Sequence, residues 1–234
     1  MRPILLIGAN FVRMQWLIVV IMTVYIAGIA GVFSLNQQSQ EVLFFVRSQP
    51  LYILFLSLML GVPAIQTDRK SRRLLAVLSK GIHRWQYLGG RLCGCTVLCA
   101  VFSLLIWGTA YMLFLREERS TSGLWLLILA LFACCVTAAA AGLLYSTFLH
   151  PLLATGVATI TLLLPLPLAA RGMDMRLTKL LFPVAGMVNH LVEYQYGAVE
   201  GLWTVTVTAS ILAIVFWIVG AMIFGRRDVT ISPE

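Results

Sequence analysis

GLWLLILALFACCVTAAAAGLLY, residues Gly123–Tyr145, contains no Lys, Arg, Asp or Glu. A helix rises 1.5 Å per residue, so this stretch is long enough to cross a hydrocarbon core of about 30 Å. Five further segments have the same character: Met14–Leu35, Pro50–Ile65, Leu88–Leu115, Pro151–Ala170 and Leu202–Phe224. Their one charged residue is Arg91, near the start of Leu88–Leu115. Pro50–Ile65 is short, and an earlier start would suit it. Leu88–Leu115 exceeds what a bilayer needs, so it should tilt or project. Met14–Leu35 follows Arg2 and Arg13 but is too long for a signal-peptide core, and it reads as a retained span. The sequence therefore predicts an all-α polytopic membrane protein with six transmembrane helices, forming a single domain over residues 1–234.

The bulk composition agrees. The chain is 60% hydrophobic and 11% charged, with a mean hydropathy of +0.93. Soluble domains carry about 25% charged residues, so a soluble enzyme is excluded on these grounds. The net charge of +8 has a topological meaning. Six crossings put the N-terminus, the Gln66–Tyr87 loop with Arg91, the Ser146–His150 turn and the C-terminal tail on one side. That side holds Arg2, Arg13, Arg69, Lys70, Arg72, Arg73, Lys80, Arg84, Arg91, Arg226 and Arg227 against Asp68, Asp228 and Glu234, a net of +8. On the other side Arg47, Arg116, Arg119, Arg171, Arg176 and Lys179 are balanced by Glu41, Glu117, Glu118, Asp174, Glu193 and Glu200. The positive-inside rule makes the basic side cytoplasmic, with both termini there and the chain in a cell (inner) membrane. Basic charge placed this way argues for topology and against a nucleic-acid partner.

Two flanking stretches carry weaker signals. Met1–Arg13 mixes apolar residues with Arg2, Asn10 and Arg13, which suits either an N-terminal interface helix or a frayed end. The outer loop Arg171–Gly201 includes Leu180, Leu181, Phe182, Pro183, Val184 and Ala185, then Met187, Val188, Leu191 and Val192. It is too apolar for a solvated loop and too interrupted to span. A re-entrant segment of short helices before span 6 is expected there.

The informative polar stretch is Asp68–Leu92, DRKSRRLLAVLSKGIHRWQYLGGRL. Leu74, Leu75, Val77 and Leu78 form one apolar face among Arg72, Arg73, Ser79 and Lys80. Gly81 punctuates. Ile82, Trp85, Leu88 and Leu92 then recur at near-helical spacing. The pattern predicts a short amphipathic helix on the membrane surface, a break, and a second helix that runs into the third span.

In these residues the chain resembles the permease subunits of type-2 ABC exporters. Their cytoplasmic segment between spans 2 and 3 runs acid-Arg-x-Ser-Gly-Thr, a Leu-rich turn, Ser-x-Pro, a Ser-Arg-Trp-x-Tyr-like stretch and Gly-Lys-Leu. Asp68, Arg69 and Ser71 match the opening, and Leu74, Val77 and Leu78 the Leu-rich turn. Ser79 matches the serine before the break, Arg84, Trp85 and Tyr87 the next stretch, and Gly90-Arg91 the closing Gly-Lys. The leading interface helix, six spans, an outer re-entrant stretch and the Arg226-Arg227-Asp228 ending also resemble the family's layout. Arg72 and Arg73 depart from Gly-Thr, and Gly81 stands in place of Pro. Gly also breaks a helix, so the turn survives. The added bases imply an acidic partner surface.

The resemblance implies a membrane-spanning subunit of an ATP-driven exporter that forms the translocation path. Asp68, Arg69, Ser71, Leu74, Leu78, Ser79, Gly81, Arg84, Trp85 and Tyr87 would form the ATPase-coupling segment, a cytoplasmic coupling helix. The partners implied are ABC ATPase subunits, a second permease copy or paralogue, and the lipid bilayer. ATP and Mg would bind the partner ATPase, with no cofactor on this chain. Two other readings stay open: a polybasic loop that only binds anionic lipid, and a non-transporting membrane scaffold or assembly factor.

Catalytic and metal-binding motifs are not found in the sequence. Lys70-Ser71 resembles the end of a phosphate-binding loop, but no glycine precedes it and no strand leads into it. Hydrolysis of ATP is thus expected on a separate chain. His83, His150 and His190 are isolated. Cys93, Cys95, Cys99, Cys134 and Cys135 sit in apolar runs and read as packing residues rather than a soft-metal site. Met173, Asp174, Met175, Met187 and His190 form a weak outer Met/His group, read as packing as well. Ser103, Thr109, Thr137, Thr155, Thr159 and Thr161 are candidates to bond across helices or line a path. Pro165 and Pro167 suggest a hinge at the outer end of the fifth span.

Overall fold

The computed structural model describes residues 2–35, 39–70, 82–116, 121–163, 182–192 and 201–226. Eight helices account for nearly all of them: α1 Arg2–Met14, α2 Trp16–Leu35, α3 Ser39–Lys70, α4 Arg84–Arg116, α5 Leu124–Ser146, α6 Pro151–Leu163, α7 Pro183–Val192 and α8 Leu202–Arg226. No strand occurs among the described residues.

Four helical stretches are long and apolar enough to cross a membrane: Ser48–Asp68, Arg84–Arg116, Leu124–Ser146 and Leu202–Arg226. A fifth candidate is the pair Pro3–Met14 and Trp16–Ile29, which meet at a 55° bend around Gln15. The six expected spans are thus matched by four or five. The fifth expected span, Pro151–Ala170, is represented by α6 alone, whose 13 residues are too short to cross unaided. Residues 164–170, with Pro165 and Pro167, lie outside the described residues.

The second expected span, Pro50–Ile65, is part of a longer helix. Pro50 and Pro63 both lie inside α3 and end nothing. Proline lacks the amide hydrogen and its ring crowds the carbonyl four residues back, but neighbouring helices can compensate for the lost bond in a membrane. The third span begins at Arg84, in keeping with the predicted run of helix into it. Its 33 residues give a length of about 50 Å, well beyond a hydrocarbon core of about 30 Å.

α5 forms the centre of the bundle and touches α3, α4, α6, α7 and α8. Its face is built of small residues, with Ala138, Ala139, Ala140, Ala141 and Gly142 all buried. Small residues let backbones approach, which is how membrane helices associate without a hydrophobic drive. A Cβ at Gly61 of α3 would collide with the Ala139 carbonyl, and one at Gly142 would lie 2.9 Å from the Leu58 carbonyl oxygen. Thr137 also bonds across the bundle, its hydroxyl shared between Ala133 O at 2.9 Å and Ala209 O of α8 at 2.7 Å. The Tyr145 and Thr161 hydroxyls join α5 to α6 at 3.0 Å. By contrast Thr109 and Thr155 bond carbonyls of their own helices.

α7 packs against α3, α5, α6 and α8, with Val184, Ala185, Met187 and Leu191 buried. Beside it lies a cavity of about 170 Å³, apolar in lining and bounded by residues such as Leu54, Leu58, Leu162 and Val188. α8 starts after Gly201, whose φ of 83° is the left-handed conformation that glycine tolerates best.

Candidate functional site at the junction of α3 and α4

α4 begins where its own side chains cap it. The His83 amide donates to Gln86 Oε1 at 3.3 Å, which satisfies one of the amides left without a partner at a helix start. From there Arg84, Tyr87 and Arg91 recur at intervals of three and four and share one side of the helix. Each reaches a different structural target.

Asp68 occupies the last turn of α3, where a carboxylate faces the negative end of the helix dipole. Two partners compensate. Arg91 forms an ion pair with Asp68 Oδ2, and both side chains are buried, at 7% and 5% exposure. The Tyr87 hydroxyl donates to the same oxygen at 2.5 Å and accepts from Arg91 Nε at 3.3 Å. The three groups close a ring of contacts. The Arg91 guanidinium also lies over two aromatic rings, 4.9 Å from the centroid of Phe11 on α1 and 5.5 Å from that of Tyr87. A cation placed this way is attracted by the negative ring face.

The other termini collect around this ring. Arg84 donates to the Phe224 and Gly225 carbonyl oxygens at 3.1 and 3.2 Å, which caps the end of α8 with a cation. Tyr87 and Phe224 rings lie 6.1 Å apart. Gln66 Nε2 donates to Leu149 O, at 2.7 Å, in the turn between α5 and α6. α1 joins through close approach: a Cβ at Gly90 would lie 2.7 Å from Ile7 Cβ, and one at Gly94 2.7 Å from Phe11 Cδ1. The end of α3, the start of α4, the α5–α6 turn, the end of α8 and α1 therefore meet at one end of the bundle. These are the regions that the charge count assigns to a common side.

Of the predicted coupling residues, Asp68, Arg84 and Tyr87 are engaged within the chain. Trp85 is 46% exposed and lies beside them on α4. Ser71, Leu74, Leu78, Ser79 and Gly81 lie outside the described residues, as does the Arg69 side chain. The central member, Arg91, is marked in the sequence as the one charged residue within the spans and as the match to a family Gly-Lys, but its partner is not. Its bond to Asp68 joins residues 23 positions apart in sequence and has no local spacing rule. Phe11, which lies beneath it, carried no signal beyond the apolar character of the N-terminal stretch.

No group of three or more His, Cys, Asp or Glu side chains able to hold a metal occurs among the described residues. Met187 and His190 lie buried on α7, while Met173, Asp174 and Met175 lie outside the described residues. Cys95, Cys99, Cys134 and Cys135 are buried as free thiols and Cys93 is partly exposed. Cys99 donates weakly to Ser57 Oγ at 3.5 Å and Cys134 to Pro183 O at 3.7 Å. These contacts are those of small packing residues between helices. No known protein family, curated protein or solved structure matches the chain.

Proposed function

We propose that this chain is the membrane-spanning subunit of an ATP-driven exporter of the type-2 ABC class. It would cross the membrane six times, with the α3–α4 junction on the cytoplasmic side and a re-entrant stretch around α7 on the other. The segment between α3 and α4 acts as the coupling helix and docks on a separate ATPase subunit, where ATP and Mg bind. A second copy or a related permease completes the path.

One observation chiefly supports this reading. The chain on either side of residues 69–83 is pinned by a buried network of Asp68, Tyr87 and Arg91, next to an exposed Trp85. A basic, amphipathic segment held at both ends can transmit a push, whereas a loop that merely touches lipid has no need of a rigid base. The apolar helices of the bundle suit a carrier that draws its energy from outside the membrane.

The test is affinity capture of tagged protein from detergent-solubilised native membranes, comparing wild type with a Leu78→Asp, Trp85→Ala double variant. Recovery of a nucleotide-binding subunit with wild type and its loss with the variant is the expected result. Absence of any ATPase from well-folded wild type would transfer the reading to a non-transporting scaffold or assembly factor.

A further inference from the structure

We propose that Arg91 is a positioning residue that locks α1 to the α3–α4 junction, so that a displacement of the segment between α3 and α4 is passed to the N-terminal helix. Its role in transport rests on the exporter reading; its role as a lock does not.

Three observations carry it. First, Arg91 is shared between elements: it pairs with Asp68 of α3 from its place on α4 while its guanidinium covers Phe11 of α1. Second, the described close approaches between α1 and α4 at Gly90 and Gly94 are apolar and steric. Gly90 and Gly94 admit Ile7 and Phe11, and Phe11 is 2% exposed. Such a seam can part as a unit once the charged contact is withdrawn. Third, a buried ion pair is a poor way to gain stability, because desolvation of both charges offsets much of their attraction. Register and switching are its best-attested uses. Arg91 faces Asp68, Tyr87, Phe11 and, one turn on, Cys95, so its opposing charge comes from the end of α3.

The chain carries its own reporter. A Cβ at Gly8 would lie 3.6 Å from Cys93 Cβ, so α1 lies against that cysteine. Cys93 is the partly exposed thiol, and the other four are buried. Reaction of Cys93 with a water-soluble maleimide therefore measures how often α1 lifts.

The experiment uses the full chain in lipid nanodiscs, with Cys93→Ser as the blank. Wild type is compared with an Asp68→Asn, Arg91→Met double variant, which removes both charges of the pair together. Phe11→Leu is the second variant, since it keeps the ion pair and removes the ring beneath the guanidinium. The expected result is a rise of about threefold or more in the Cys93 labelling rate for both variants, at an unchanged gel-filtration profile. Unchanged labelling in either well-folded variant overturns the lock. A second arm adds the co-purified ATPase with a non-hydrolysable nucleotide. Wild-type labelling should then change on nucleotide addition while that of the double variant does not. A wild-type rate indifferent to nucleotide, despite bound ATPase, overturns the transmission to α1. If no ATPase accompanies wild type, the exporter reading fails and the first arm still decides the lock.

Discussion

The Tyr87 hydroxyl lies 2.5 Å from Asp68 Oδ2, the oxygen that also pairs with Arg91, so a single carboxylate oxygen of α3 engages two side chains of α4. Removing different members of this ring should have unequal effects. Asp68→Ala strands a buried guanidinium and should cost about 3–5 kcal/mol. Tyr87→Phe leaves the ion pair intact and should cost about 1–3 kcal/mol, the usual range for a lost buried bond. The Asp68→Asn, Arg91→Met pair removes both charges and should be close to neutral, or stabilising. Thermal unfolding of the detergent-solubilised protein, followed by the fraction that stays monodisperse, ranks the three. A double variant as unstable as Asp68→Ala would show that the ring is valued for stability rather than position.

The crossing of α3 and α5 depends on two glycines at closest approach. Gly61 has the Ala139 carbonyl in the place of its missing Cβ, and a Cβ at Gly142 would stand 2.9 Å from Leu58 O. Both obstacles are backbone and cannot swing aside. Gly61→Ala should therefore destabilise by about 1–3 kcal/mol, as overpacking does in a filled core. A Cβ at Gly108 would meet nothing within 4 Å, so Gly108→Ala is the control and should leave the unfolding midpoint unchanged or raise it. Equal behaviour of the two variants would mean that α3 and α5 do not meet at Gly61.

Much of this architecture is legible in sequence because hydropathy is a long-range average. Gly123–Tyr145 and Leu202–Phe224 fall within two residues of α5 and α8 at each end. The misread lay where local rules compete with tertiary context. Pro50 looks like a helix start, yet α3 passes through it and through Pro63. The polar residues Arg84 to Tyr87, by contrast, form the first turn of α4 as the spacing of Ile82, Trp85, Leu88 and Leu92 predicts, with Gln86 capping it and Arg84 reaching the end of α8. The Arg84, Trp85 and Tyr87 match was visible as a motif, but not the opposite exposure of Trp85 and Tyr87. That depends on Phe224 and Asp68, brought in from other helices.

Thr137 tests whether hydrogen bonds hold α8 to the bundle. Its hydroxyl reaches Ala209 O on α8 at 2.7 Å as well as its own helix at Ala133 O. Thr137→Val keeps the shape and removes the bond. Interhelical bonds in membranes average about 0.6 kcal/mol and reach about 1.7, and a loss in that range is expected. Thr109 bonds only Leu105 O and Ile106 O of its own helix in the contacts described, so Thr109→Val should change less than Thr137→Val. The two variants compared in one thermal series separate cross-helix bonding from the intrinsic effect of threonine in a helix.

Trp85 and Tyr87 lie two residues apart on α4, one 46% exposed and the other 1%. The contrast gives a prediction that neither residue alone supplies. Trp85→Ala removes no buried contact of the ring, so stability should stay within about 0.5 kcal/mol of wild type, as for surface changes. If the exposed indole is part of the docking surface, the same variant should lose the co-purifying ATPase, since aromatic anchors dominate such interfaces. Tyr87→Phe should show the reverse: lower stability, with ATPase recovery retained in the fraction that remains folded. Melting curves and ATPase recovery measured on the same preparations put each variant on two axes. Loss of ATPase in strict proportion to loss of folded protein for both variants would remove Trp85 from the interface. Loss with Trp85→Ala at full stability would assign this face of α4 to the partner, because nothing inside the chain would then explain it.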